Sequence, residues 1–116
     1  MDRFWKQIEA SKKDHTSLPF WSWNDRLDPD ELARQIAAMR RAGLGGYFMH
    51  ARGGLETPYM GEEWMNAIRT GIDCAGDDME AWAYDENGWP SGFADGVVPA
   101  MGEQNQQKTL IVFRTM

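Results

Sequence analysis

An α/β fold, specifically a partial parallel (β/α) barrel of the TIM type holding the first three or so strands, is what this sequence predicts, on three observations. Short aromatic or apolar runs suited to strands alternate with amphipathic helical stretches. Each strand run ends in polar residues: Asn24 and Asp25, then His50 and Arg52, then Asp85, Glu86 and Asn87. The chain has 116 residues, the size of one small domain, whereas a closed eight-fold barrel takes about 250. Strand, helix, strand, helix, strand implies right-handed parallel crossovers, which doubly wound sheets and barrels share. The polar strand ends favour the barrel, whose strands open onto one mouth at their C-terminal ends. Neither helix opens with a glycine-rich phosphate fingerprint, which counts against a dinucleotide-binding fold.

Residues 1–17 read as a leader, with Phe4, Trp5 and Ile8 at helical spacing ahead of a polar stretch. Residues 18–108 carry the N-terminal part of the barrel. Residues 18–24, rich in aromatics and entered through Pro19, form the first strand. The first helix starts at Asp28, because Asp28, Pro29 and Glu31 combine a cap, a proline at the first helical position and a glutamate three residues after the cap. Leu32, Ile36 and Met39, with Ala33 and Ala37 beside them, make its apolar stripe; Arg34, Gln35, Arg40 and Arg41 face away. Gly43 stops it. Residues 44–50 form a nearly continuous apolar strand, as a strand covered on both faces requires. After a loop over 51–60, a second helix runs from about Glu62 to Ala75. Trp64, Met65, Ile68, Ile72 and Ala75 lie on one side of it, and Glu62 and Glu63 suit its positive N-terminal end. A third strand over 80–84 ends in Asp85, Glu86 and Asn87. Residues 109–116, TLIVFRTM, are an apolar tail, either a fourth strand cut short or an unrelated end.

Composition narrows the partners. A net charge of −6, from 18 acidic against 12 basic residues scattered along the chain, excludes nucleic acid as the expected partner. The start shows neither a secretory signal nor a membrane span, so no membrane partner is expected and a cytoplasmic location is the default. Cys74 is the only cysteine, so the chain builds no disulfide framework or zinc cluster; it falls on the apolar side of the second helix as a buried thiol. Six tryptophans are many for this length, and each is either a core anchor or a ligand platform.

The strand ends carry the candidate chemistry. Asp85, Glu86 and Asn87 suit vicinal hydroxyls and Trp89 suits the apolar face of a sugar ring, though the same residues also suit a capped tight turn with Trp89 as a plug. His50 at the end of its strand is either a satisfied core or rim residue or a functional one. Arg52 adds a cation, and Gly53 with Gly54 a backbone open to close approach. No metal site is expected: Asp85 and Glu86 alone fall short of the six or more oxygens that calcium takes. Nor do these two carboxylates make an acid and base couple, since neighbours on a strand point to opposite sides, whereas glycoside hydrolysis needs two carboxylates about 5 to 9.5 Å apart across a sugar.

The stretch PFWSWNDRLDPDELARQIAAMRRAGLGGYFMHARGG, followed by EEWMNAIRTGID and EAWAYDENGWPSGFADG, resembles the N-terminal part of large bacterial glycoside hydrolases of the alpha-L-rhamnosidase type, grouped with family 106. FMHARGG and YDENGWPSG are the distinctive strings, and the resemblance covers roughly residues 18–108. It implies a (β/α) barrel clasped by β-sandwich domains and acting on rhamnosides or related sugars, with an oligosaccharide or glycoside as substrate. The matching mouth positions, Trp23, Asn24, His50, Arg52, Asp85, Glu86, Asn87 and Trp89, are then substrate-pocket candidates. The acid and base of the family fall on later strands, so no catalytic residue is assigned here. Calcium follows from the resemblance alone and attaches to no residue. The alternative expectation is a non-catalytic sugar-binding remnant, or one that self-associates through exposed strand edges. An unrelated small α/β domain is the weaker third.

Overall fold

The computed structural model describes residues 2–11, 15–87 and 92–114. After helix α1 (Asp2–Ala10) come strand β1 (Phe20–Trp23), helix α2 (Pro29–Arg41), strand β2 (Gly46–Ala51), helix α3 (Glu62–Ala75) and strand β3 (Glu80–Asn87). A 3-10 turn (Ala94–Gly96), the short helix α4 (Val97–Ala100) and a second 3-10 turn (Glu103–Asn105) follow. The α/β class read from the sequence is the class the chain adopts: a three-stranded, all-parallel sheet in the order β1-β2-β3.

Sequential order has a geometric consequence. Two crossovers of the same hand between strands laid down in order must return on the same side of the sheet. Accordingly α2 and α3 pack together over one face, where Trp23, Tyr47, Met49 and Ala51 from the strands meet Leu32, Ile36, Trp64 and Ala67 from the helices in one core cluster. Trp21, Trp23, Tyr59 and Trp64 interlock there edge to face at centroid distances of 5.0 to 5.4 Å.

The ends of α2 are set locally. Asp28 accepts hydrogen bonds from the backbone N–H of Asp30 and Glu31 at 2.9 and 3.1 Å. Glu31 does not reach back to complete a capping box; it accepts from Arg34 and Gln35 instead. At the other end Leu44 N–H donates to Met39 O and Gly43 N–H to Arg40 O, the paired bonds of a Schellman stop, with Gly43 at φ 81°.

Three side-chain expectations change. Gln35 and Arg40 do not simply face solvent: Gln35 Oε1 accepts from Trp21 Nε1 at 2.8 Å, tying α2 to β1. Arg40 Nη2 donates to the carbonyls of Cys74 and Ala75 at 2.7 and 3.0 Å, closing the C-terminal end of α3, while its Nε donates to Asp78 at 2.9 Å. On α3 the inner face is Trp64, Ala67, Gly71 and Ala75, whereas Met65 and Ile72 turn outward. Small residues are needed there because Tyr47 and Met49 rise from the sheet beneath: Tyr47 Oη donates to Gly71 O at 2.6 Å, and a Cβ at Gly71 would collide with Met49 Sδ.

The opposite face is different. Alternation along the strands puts Phe20, Phe48 and Trp82 there in one row, paired in register across all three strands, with Ser22, His50 and Tyr84 nearer the C-terminal ends. No helix among the described residues covers these side chains; Phe20 and Trp82 are 57% and 52% exposed. The apolar tail has no strand over residues 109–114, and Leu110, Ile111, Val112 and Phe113 are exposed.

Candidate functional site at the C-terminal strand ends

Parallel strands bring the ends of β1, β2 and β3 to one edge of the sheet, and the backbone stitches the loops there together. Arg52 N–H donates to Trp23 O at 3.0 Å, Glu56 N–H to Asp25 O at 3.3 Å, and Leu27 N–H to the buried Thr57 Oγ1 at 2.9 Å. Gly54 runs close to the β1–α2 loop, where a Cβ would come within 2.9 Å of Asn24 O, and with Gly53 it borders an open cleft. The β1–α2 and β2–α3 loops therefore form one rigid rim.

A polar cleft of about 270 Å³ opens on that rim, lined among others by Arg52, Thr57, Tyr59, Asn87 and Asp95. Arg52 and Asn87, read from the sequence as separate strand ends, meet here because β3 is irregular. Met49 pairs with Ala83 but Ala51 with Asn87, so β3 carries extra residues past β2 and lifts Asn87 to the level of Ala51. Among the described residues Arg52 is the only cation lining the cleft. The sequence reading missed Tyr59 and Asp95. Tyr59 sits in the loop after β2, its ring 5.0 Å from that of Trp64. Asp95, in the left-handed region at φ 55°, is brought back by the turn after β3. An aromatic amid the polar loop residues 51–60 was the one available signal for Tyr59.

The other sequence candidates are placed differently. Trp23 is 2% exposed, packed on Trp64 and Trp21 on the helix-covered face, and borders the cleft at the β1–α2 loop. Asn24 is exposed and lines a second, smaller cleft of about 200 Å³ at the β1–α2 loop. Asp85 is exposed, and Glu86 is half-buried, accepting from Tyr84 Oη at 3.4 Å. Trp89 lies outside the described residues, with Gly88, Pro90 and Ser91. His50 is 3% exposed on the helix-free face, its ring 4.4 Å from that of Tyr84 and 5.5 Å from that of Phe20. Its Nε2 is buried without a partner among the described residues.

Electrostatics give the rim a negative character. Burial pushes the Tyr59 hydroxyl up, and Asp85, Glu86 and Asp95 push it further. Burial likewise raises Tyr84, with the Glu86 charge and hydrogen bond and then Asp85 adding to it. His50 is lowered, first by burial and then by Arg52, with Glu86 opposing. An edge of this kind disfavours anions and offers donors and acceptors to neutral hydroxyls: the Arg52 guanidinium, the Asn87 amide, the Tyr59 and Thr57 hydroxyls and the carboxylates of Glu56, Asp85, Glu86 and Asp95. Among the described residues no group of three or more His, Cys, Asp or Glu side chains is arranged to hold a metal, and no helix is long and apolar enough to cross a membrane.

Comparison of the chain with protein-family models, with curated proteins and with solved structures gives no match.

Proposed function

We propose that this chain is the N-terminal part of a (β/α) barrel from a glycoside hydrolase and that it forms one side of a sugar pocket at the C-terminal strand ends. The observation that carries the reading is the sheet itself: three parallel strands in sequence order, both helices on one face, and polar side chains gathered at the C-terminal edge. The helix-free face bears Phe20, Phe48 and Trp82, large apolar side chains that closure into a barrel would bury. The side chains of β1 and β3 also lean together across β2: Phe20 and Tyr84 stack edge to face at 5.3 Å although their strands are two spacings, roughly 9.5 Å, apart. That inward lean is what a sheet curling toward closure produces.

The FMHARGG and YDENGWPSG strings point to rhamnosides as the substrate class, and the neutral-ligand character of the rim agrees with that. Acid and base carboxylates are not assigned within this chain. Calcium remains an implication of the resemblance with no residue here to carry it. The test is turnover of a panel of aryl glycosides, alpha-L-rhamnoside first, by the protein that carries this segment. Arg52→Ala and Asn87→Ala are each expected to lower kcat/KM about tenfold, the worth of one lost hydrogen bond to substrate. Absence of turnover on every glycoside contradicts the hydrolase reading.

A second reading has its own support. Phe20, Trp82 and residues 110–113 put a large apolar surface in water, which favours a sugar-binding or self-associating remnant without hydrolase activity. Sugar binding without turnover, or a concentration-dependent mass in sedimentation, selects it.

A further inference from the structure

We infer that Asp95 is a specificity-determining residue of the cleft at the C-terminal strand ends. Its carboxylate accepts from one hydroxyl of a sugar ring while Arg52 donates to a neighbouring one, a pairing that selects a neutral ring over an acidic one. This role rests on the sugar-pocket reading above. Both residues line the cleft of about 270 Å³, Arg52 from just past the end of β2 and Asp95 from the turn after β3. No ion pair joins them. Among the described residues the ion pairs are Arg34 with Glu31 and Arg40 with Asp78, and the side chains of Arg52 and Asp95 hold no hydrogen bond to protein.

The backbone places the carboxylate there. Ala94 and Asp95 have φ of 48° and 55°, left-handed values that disfavour any residue with a Cβ, so the turn carries an acidic side chain where glycine would be free of strain. Tyr59 lines the same cleft with its ring held edge to face on Trp64 at 5.0 Å. Burial, then Asp85, Glu86 and Asp95, keep its hydroxyl protonated as a further donor. An ionised carboxylate only accepts and a guanidinium only donates, so a ligand that meets both offers a donor to Asp95 and an acceptor to Arg52. Neighbouring hydroxyls do this without a charge of their own. A ring carboxylate suits Arg52 but meets Asp95 and Glu56 in the same cleft, and an ammonium suits those two but meets Arg52. The volume lies just under the roughly 300 Å³ at which drug-sized pockets begin, so the cleft takes one ring.

The protein that carries this segment is titrated calorimetrically with methyl alpha-L-rhamnoside and, as the acidic control, with glucuronate. The parent should prefer the rhamnoside by about tenfold or more. Asp95→Gly removes the carboxylate and relieves the backbone, so it should melt no lower than the parent yet bind the rhamnoside about tenfold more weakly. Asp95→Asn tolerates the same backbone and keeps an acceptor without the charge. It should bind the rhamnoside within about threefold of the parent and lose most of the discrimination against glucuronate. A change in selectivity is a readout that a purely structural turn residue would not move. Unchanged affinity and selectivity in both variants overturn the role of Asp95 and leave the pocket reading standing. A lower melting temperature for Asp95→Gly with unchanged selectivity for Asp95→Asn also overturns it, assigning Asp95 to the turn alone. Preference of the parent for glucuronate overturns the neutral-ring assignment, and failure of both sugars to bind overturns the inference together with the reading on which it rests.

Discussion

Tyr47 shows how a single side chain joins sheet to helix. Fully buried, it donates its hydroxyl to Gly71 O at 2.6 Å, and burial pushes its pKa up to about 12. A folded-state pKa raised above the ordinary value of 10.0 contributes stability below that value and loses it as pH rises toward about 12. Tyr47→Phe should cost about 1 kcal/mol by removing the hydroxyl's hydrogen bond to the Gly71 carbonyl, and should flatten part of the stability loss above pH 10 in urea titrations. Glu31 gives the mirror case at low pH: hydrogen bonds from Arg34 and then Gln35 hold its carboxyl at about 2. Its contribution is present above the ordinary value of 4.5 and falls away toward pH 2, so Glu31→Gln should show a shallower decline in that window. At the start of α2, Asp28→Ala should cost about 1 kcal/mol, read as a shift in the urea midpoint at constant slope.

At the scale of elements, much was legible from local chemistry and the remainder depended on contacts between elements. The start of α2 at Asp28, its stop at Gly43 and the full span of α3 follow from caps and periodicity, and the structure has all three. The inner face of α3 could not be read the same way. Hydrophobicity alone puts Met65 and Ile72 inward, yet the space is decided by Tyr47 and Met49 on a neighbouring strand, which admit only Ala67 and Gly71. Gly71→Ala should therefore destabilise by about 1 to 3 kcal/mol despite its better helix propensity, and Met49→Ala in the same chain should not add its full separate cost to it, because the smaller side chain relieves the clash. At the candidate site the strand ends gave Arg52 and Asn87. Tyr59 and Asp95 arrive through loops that fold back, and no spacing in the sequence encodes that return. Trp23 is anchored in the core because alternation sends Trp23 and Trp21 to the helix side and Ser22 to the other.

The whole molecule is less closed than its length would suggest. Its radius of gyration is 20.2 Å, against roughly 13 to 14 Å for a compact chain of this size, and it extends 75 Å along its longest axis. One face of the sheet is a packed core and the other is an aromatic surface in contact with water, with residues 110–113 adding a further apolar run. The proposed barrel, with Phe20, Phe48 and Trp82 toward the interior and Arg52 and Asn87 at the mouth, would account for both halves of this asymmetry. The most direct measurement is a crystal structure of the protein that carries this segment, soaked with L-rhamnose. The account predicts further strands over the aromatic face and the sugar at the C-terminal edge, within hydrogen-bond distance of Arg52 or Asn87; an aromatic face covered by anything other than strands, or sugar bound away from that edge, would contradict it.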